Sequence, residues 1–154
     1  MTDRIRVVIG CDDAGYEYKT AILADLMANP GVTAIDYGVD ANGHTPYPSV
    51  AIKAAEAIVA GQADRAILIC GTGLGMAITA NKVPTIRATT VHDSYSAERS
   101  IMSNNAQIMT MGQRVIGMEL ARRLAREWLG YTFDPGSASA RKIALIDAFE
   151  AGGA

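Results

Sequence analysis

The 154-residue chain is short of several features that would settle its class at a glance. It has two cysteines, Cys11 and Cys70; each closes an apolar run, which points to free thiols in a reducing compartment more than to a disulfide framework. No apolar run approaches the roughly 20 residues of a membrane-spanning helix. The charged opening Met-Thr-Asp-Arg-Ile-Arg leads into an apolar stretch too short for a secretory signal, so the cytoplasm is the expected location. Neither sign of charge dominates: 14 Lys and Arg stand against 16 Asp and Glu, a net charge of −2, which gives no reason to expect nucleic acid or an anionic membrane as partner. Repeats and low-complexity segments are also missing. What is abundant is apolar residues, 49% of the chain. That is enough for one domain with a real core over 1–154, in a chain too short for two ordinary domains.

Apolar runs of two kinds alternate. Strand-like runs are expected at 5–11, 32–38, 65–70, 86–91 and 107–111. Helices are expected at 16–28, 50–61, 74–81, 94–104, 115–129 and 138–149, with breaks such as Asn29-Pro30-Gly31 and Asp134-Pro135-Gly136 between elements. Strands alternating with helices imply an α/β fold. Right-handed crossovers then give a Rossmann-like three-layer αβα sandwich around a five-stranded, mostly parallel sheet. Ligands of such folds bind beyond the carboxyl ends of the strands. Cys11-Asp12-Asp13, Cys70-Gly71-Thr72 and His92-Asp93 all fall there.

The segment Ile69-Cys70-Gly71-Thr72-Gly73-Leu74-Gly75 carries the most chemistry. Three glycines in five residues exceed what a turn needs; they allow positive φ and let a ligand approach the main chain, and the N–H groups of such a loop favour negative charge. A thiol beside that loop suits a reaction in which a proton is removed and an oxyanion develops within a few ångströms. A dinucleotide site is the competing reading, with Asp93 about twenty residues downstream. The pattern is G-x-G-x-G, however, and lacks the third glycine of the fingerprint. Asp12 also reads as a helix N-cap, compatible with a chemical role, and Asn104 as a helix C-cap.

The residues then resemble a family. Gly10-Cys11-Asp12-x-Ala14-Gly15, Tyr47-Pro48, the cysteine-glycine loop with Ala80-Asn81-Lys82 and Ile86-Arg87-Ala88, Tyr95-Ser96-Ala97, Asn104 and Met111-Gly112-Gln113-Arg114-Val115-Ile116-Gly117 follow in the order and spacing of the type B ribose-5-phosphate isomerases and galactose-6-phosphate isomerase subunits. The resemblance implies metal-free and cofactor-free interconversion of an aldose phosphate and a ketose phosphate through a cis-enediolate. It also implies a homodimer or tetramer with active sites at the subunit interface, the helix at 138–149 packing on a partner. Within that frame Cys70 is the expected base, and Asp12 and Thr72 hold or relay protons among the sugar hydroxyls. Gly71, Gly73, Gly75 and Asn104 form the anion hole; Tyr47 lines the pocket; Arg114 and Arg141 bind the phosphate, a task suited to a planar multidentate donor.

Three positions depart from the family pattern. Asp13 stands where a histidine usually follows the aspartate, Ser103 where many members have the histidine credited with opening the furanose ring, and Ser137 replaces a phosphate-binding arginine. Loss of the ring-opening group costs little with a four-carbon phosphate, which cannot close a five-membered ring while its terminal oxygen is esterified. The expected substrate pair is therefore D-erythrulose 4-phosphate and D-erythrose 4-phosphate, with ribose 5-phosphate as the alternative. Asp13 is repulsive to a phosphate dianion unless it points away, is protonated, or the anion lies elsewhere. Neither His44, in a turn-rich loop, nor His92, on the functional edge of the sheet, obviously fills the gaps. A subunit that needs a different partner chain and a nucleotide-binding module are the remaining alternatives.

Overall fold

Each expected strand forms, and every strand pairing is parallel. The computed structural model describes residues 4–39 and 42–153, so Asp40 and Ala41 of the turn-rich stretch lie outside the described residues. In chain order the elements are β1 (Ile5–Cys11), a single 3-10 turn (Asp13–Gly15), α1 (Tyr16–Ala28), β2 (Val32–Asp36), α2 (Tyr47–Val59), β3 (Arg65–Cys70), α3 (Leu74–Ala80), β4 (Ala88–Thr90), α4 (Ser94–Met102), β5 (Ile108–Gly112), α5 (Met118–Gly130) and α6 (Ala138–Glu150). The five strands lie in the order β2-β1-β3-β5-β4, so the sheet expected to be mostly parallel is wholly so. None of the described helices is long and apolar enough to cross a membrane.

Side-chain parity divides the core. Val7, Ile9 and Cys11 of β1, with Ile67 and Ile69 of β3, pack with Met109, Met111, Leu124 and Trp128 on the face covered by α1, α4 and α5. Val8 of β1, with Ala66, Leu68 and Cys70 of β3, packs on the opposite face against Val50, Ala51, Ala54 and Ala55 of α2 and Met76 of α3. Successive residues of a strand point to opposite faces, so the two cysteines, each the last residue of its strand, end on opposite faces of the sheet. The small alanines let α2 sit close to the strands, and Gly10 completes that fit: a Cβ there would come within 2.6 Å of Val50 Cγ1.

Several boundaries move for physical reasons. Helix α2 begins at Tyr47, three residues before the expected Val50, because Pro48 occupies its first turn, where the missing N–H needs no partner. Helix α5 begins at Met118 instead of Val115, because the chain after β5 first turns back. Gln113 donates its N–H to the Cys70 carbonyl at 2.9 Å and Arg114 to the Gly71 carbonyl at 3.0 Å. The expected strand at 86–91 shortens to Ala88–Thr90; Asn81 pins its start, its side-chain amide giving and receiving bonds of 2.8 Å with the backbone of Ala88.

Candidate active site

Strands β1 and β3 are neighbours, with β2 outside one and β5 and β4 outside the other. Connections leaving their carboxyl ends diverge, which opens a crevice at the point where strand order reverses. The register sets Cys11 against Ile69, and the Asp12 N–H donates to the Ile69 carbonyl at 3.3 Å. Asp12 and Cys70 are thereby brought side by side at the lip of the crevice.

On the β1 side, Asp12 caps the 3-10 turn, accepting the Ala14 N–H at 3.0 Å. Burial holds its carboxyl above the ordinary carboxylate range against the opposing pull of that N–H and of the Arg114 charge. A carboxyl that takes up a proton more readily than usual can hand protons between hydroxyls. On the β3 side, Cys70 is buried and its sulfur accepts the Gly73 N–H at 3.1 Å. Gly73 can aim that N–H because its φ is +79°, a region closed to most residues with a Cβ. Thr72 then accepts the Leu74 N–H on its hydroxyl at 3.3 Å, which starts α3, and Gly75 in the first turn of that helix lines the crevice.

Two further elements close the site. Tyr47, at the start of α2, lays its ring against Gly75, where a Cβ would meet ring carbons at 2.6 Å. Arg114 is delivered by the turn after β5: Gly112 is in register with Cys70, and the guanidinium lies over Gly71, where a Cβ would be 3.1 Å from Nη1. An inner cavity of about 310 Å³ is lined by Asp12, Tyr47, Cys70, Thr72, Gly75 and Arg114, among others. It shares Asp12, Ala14, Tyr47 and Arg114 with an outer cavity of about 550 Å³ that adds Asp13, His44 and Thr45.

Asp13 is held by two bonds from the loop ahead of α2. Its Oδ2 lies 2.8 Å from Nδ1 of His44, and its Oδ1 accepts the Thr45 N–H at 3.1 Å. The hydrogen bond to the ring holds the Asp13 carboxyl below the usual range and lifts His44 above that of a free imidazole. This pairing across 31 residues has no local signal; it exists because the turn after β1 and the loop before α2 meet over the same strand ends.

Other expected site residues lie apart from Cys70. Asn104 follows α4, donates to the Arg99 carbonyl at 3.3 Å and lines a separate cavity of about 210 Å³ with Thr89, Thr90 and Arg99. Ser103 closes α4 and accepts from Arg99 at 3.4 Å, and Arg141 is exposed on α6. His92 lines neither cavity of the crevice: its Nε2 accepts the Gly112 N–H at 2.9 Å, and burial holds it below the usual imidazole value. That bond holds the end of β5, where Gly112 is in register with Cys70. Asp93, the candidate ribose-binding acid of the dinucleotide reading, instead caps α4 through the Ser96 N–H at 2.7 Å.

Comparison with known proteins identifies the family and the fold. A family model described as Ribose/Galactose Isomerase matches residues 7–146. The chain is 56% identical over 148 residues to D-erythrulose-4-phosphate isomerase 2 of Mycolicibacterium smegmatis, covering 95% of this chain and 97% of the relative. Ribose-5-P isomerase B of Listeria innocua is 47% identical over 143 residues, with 93% and 95% covered. Among solved structures, ribose-5-phosphate isomerase B of Clostridium thermocellum superposes with a TM-score of 0.89 at 40% identity, covering 96% of this chain and 99% of that one.

Proposed function

Since the chain belongs to the ribose/galactose isomerase family, which includes D-erythrulose-4-phosphate and ribose-5-phosphate isomerases, we propose that it interconverts D-erythrulose 4-phosphate and D-erythrose 4-phosphate with Cys70 as the base. The observation that carries the mechanism is the Cys70 sulfur at the strand switch point, accepting the Gly73 N–H and facing the inner cavity beside Asp12 and Thr72. The Cys70 thiolate takes a proton from C1 of the ketose, and the C1–H electron pair becomes the C1–C2 double bond of a cis-enediolate. The charge falls on O2. In this reading the backbone N–H groups of Gly71 and Gly75, both on the inner cavity, stabilise it, the Gly73 N–H being given to the Cys70 sulfur, and Asp12 with Thr72 moves the hydroxyl proton between O1 and O2. The thiol returns its proton to C2, and the aldose forms with no net change in atoms or electrons.

The tetrose reading rests on Asp13 and Ser103 in place of the family's histidines, and on the similarity to an erythrulose-phosphate isomerase. Asn104, Ser103 and Arg141 lie outside the Cys70 crevice of their own chain. In the proposed assembly they reach the crevice of a second copy: Asn104 joins its anion hole, and Arg141 joins Arg114 at the phosphate. Replacing Cys70 with Ala tests the base: kcat is expected to fall on the order of a hundredfold or more with the melting temperature held. Activity retained beyond about one per cent would mean another base. Comparing kcat/KM on D-erythrulose 4-phosphate and ribose 5-phosphate tests the substrate, and a large preference for ribose overturns the tetrose assignment.

A further inference from the structure

The outer cavity poses a problem of charge. A sugar phosphate brings a dianion, yet two carboxylates, Asp12 and Asp13, line this space along with Arg114 and His44. Asp13 is compensated by its two bonds, one to the His44 ring at 2.8 Å and one to the Thr45 N–H at 3.1 Å. Those bonds also tie the loop ahead of α2 to the turn after β1 and anchor the imidazole through Nδ1. With Nδ1 committed to the carboxylate, Nε2 is the nitrogen left to meet a ligand, and it has no hydrogen-bond partner among the described residues. The side chain is 86% exposed at the cavity rim, so a histidine there is not explained by packing.

Building on the function proposed above, we infer that His44 is a substrate-binding residue whose Nε2–H meets the phosphate opposite Arg114, and that Asp13 is a positioning residue acting through it. A carboxylate accepting from Nδ1–H orients the ring and favours the imidazolium, the form in which Nε2 also carries a hydrogen to donate outward, and such a charged donor bonds a phosphate oxygen more strongly than a neutral one. With the ring protonated the pair is neutral overall. It therefore contributes a directed donor, with the net positive charge supplied by Arg114, and an acidic residue becomes tolerable in an anion site. The other titratable or charged groups lining the cavity around His44 are Asp12 from the end of β1, Tyr47 from α2 and Arg114 from the turn after β5.

The test measures kcat and KM for D-erythrulose 4-phosphate, and the affinity for inorganic phosphate by calorimetry, in the full-length protein and its His44→Gln, His44→Arg and Asp13→Asn variants. Near pH 6.5, His44→Gln is expected to raise KM and weaken phosphate binding by about tenfold, with kcat changing less than KM. His44→Arg restores most of the loss, which a purely structural role for the ring would not allow. The substrate's own phosphate ionisation is common to all variants, so the ratio of wild-type to His44→Arg KM isolates the imidazole. That ratio is expected to rise with pH as the ring loses its proton, and the same rise in Asp13→Asn is expected at lower pH because the carboxylate that favours the imidazolium is gone. A His44→Gln protein with KM and phosphate affinity within about twofold of wild type, or a KM ratio flat with pH, overturns the inference. If the wild type fails on the tetrose phosphate, the function proposed above is wrong, and the phosphate calorimetry still decides the role of His44.

Discussion

Two cysteines close neighbouring strands, and the alternation of a β-strand gives them opposite fates. Cys11 points into the face packed by α1, and burial pushes its thiol up to about 11; near pH 8 on the order of one part in a thousand is thiolate. Cys70 points to the α2 face and opens on the inner cavity. Iodoacetamide at pH 8 is therefore expected to label the native protein once, at Cys70, with activity lost in step and with a sugar phosphate slowing both. Peptide mass analysis reads the site, and comparable labelling of Cys11 in the native state would contradict this account. Cys70, its glycines and Asp12 were legible in the sequence because each reads from its own neighbourhood: a strand running into a glycine turn at 65–75, and a strand running into a cap at 5–15. The Asp13–His44 pair was not legible, because its members are 31 residues apart and only the meeting of two loops joins them. Arg114 lies between: resemblance named it, but it is the backbone bond from Arg114 to Gly71 that brings it over the crevice.

At the level of elements, the site depends on how α3 is started. Gly73 has a left-handed backbone, and a Cβ there would stand 2.9 Å from the main chain of Met111 in β5, a strand hydrogen-bonded on both sides. Neither neighbour can yield. Gly73→Ala is expected to lose roughly 1–3 kcal/mol of stability, to pull the N–H from the Cys70 sulfur, and to lower kcat/KM by at least about tenfold. Gly117→Ala, where nothing lies within 4 Å of the added carbon, is the comparison variant and is expected to melt within about two degrees of wild type. Thermal unfolding and steady-state kinetics on the two proteins check the pair; equal behaviour would remove Gly73 from the site. The strands and most helices were legible because their apolar periods are long and regular. The start of α5 was not, since the periodicity of 115–129 carries no sign that residues 113 and 114 are bonded to the backbone of Cys70 and Gly71.

For the molecule as a whole, α6 poses the remaining question. It is held by Ile143, by the 2.9 Å pair of Arg87 with Asp147 and by the Thr85 N–H on Glu150 at 2.7 Å. Its other side carries Leu145 and Phe149, 72% and 80% exposed. Spaced four residues apart, Arg141, Leu145 and Phe149 form one stripe along the helix, so whatever covers the apolar pair also receives Arg141. A second copy of the chain is the occupant that would explain two facts together: the uncovered stripe, and the distance of Asn104 and Arg141 from the crevice they are proposed to serve. If each site takes Cys70 from one chain and Asn104 from the other, neither Cys70→Ala nor Asn104→Ala protein is active alone. Subunits of the two, unfolded and refolded together in equal amounts, form heterodimers in which one site carries both substitutions and the other carries none. Random pairing makes half of the dimers mixed and half of their sites intact, so about a quarter of wild-type activity is expected to return. Recovery near that level requires the site to be shared between subunits. If mixing restores nothing although mixed dimers are demonstrated by mass, Cys70 and Asn104 either work within one chain or Asn104 has no part in the reaction, and α6 has some other cover.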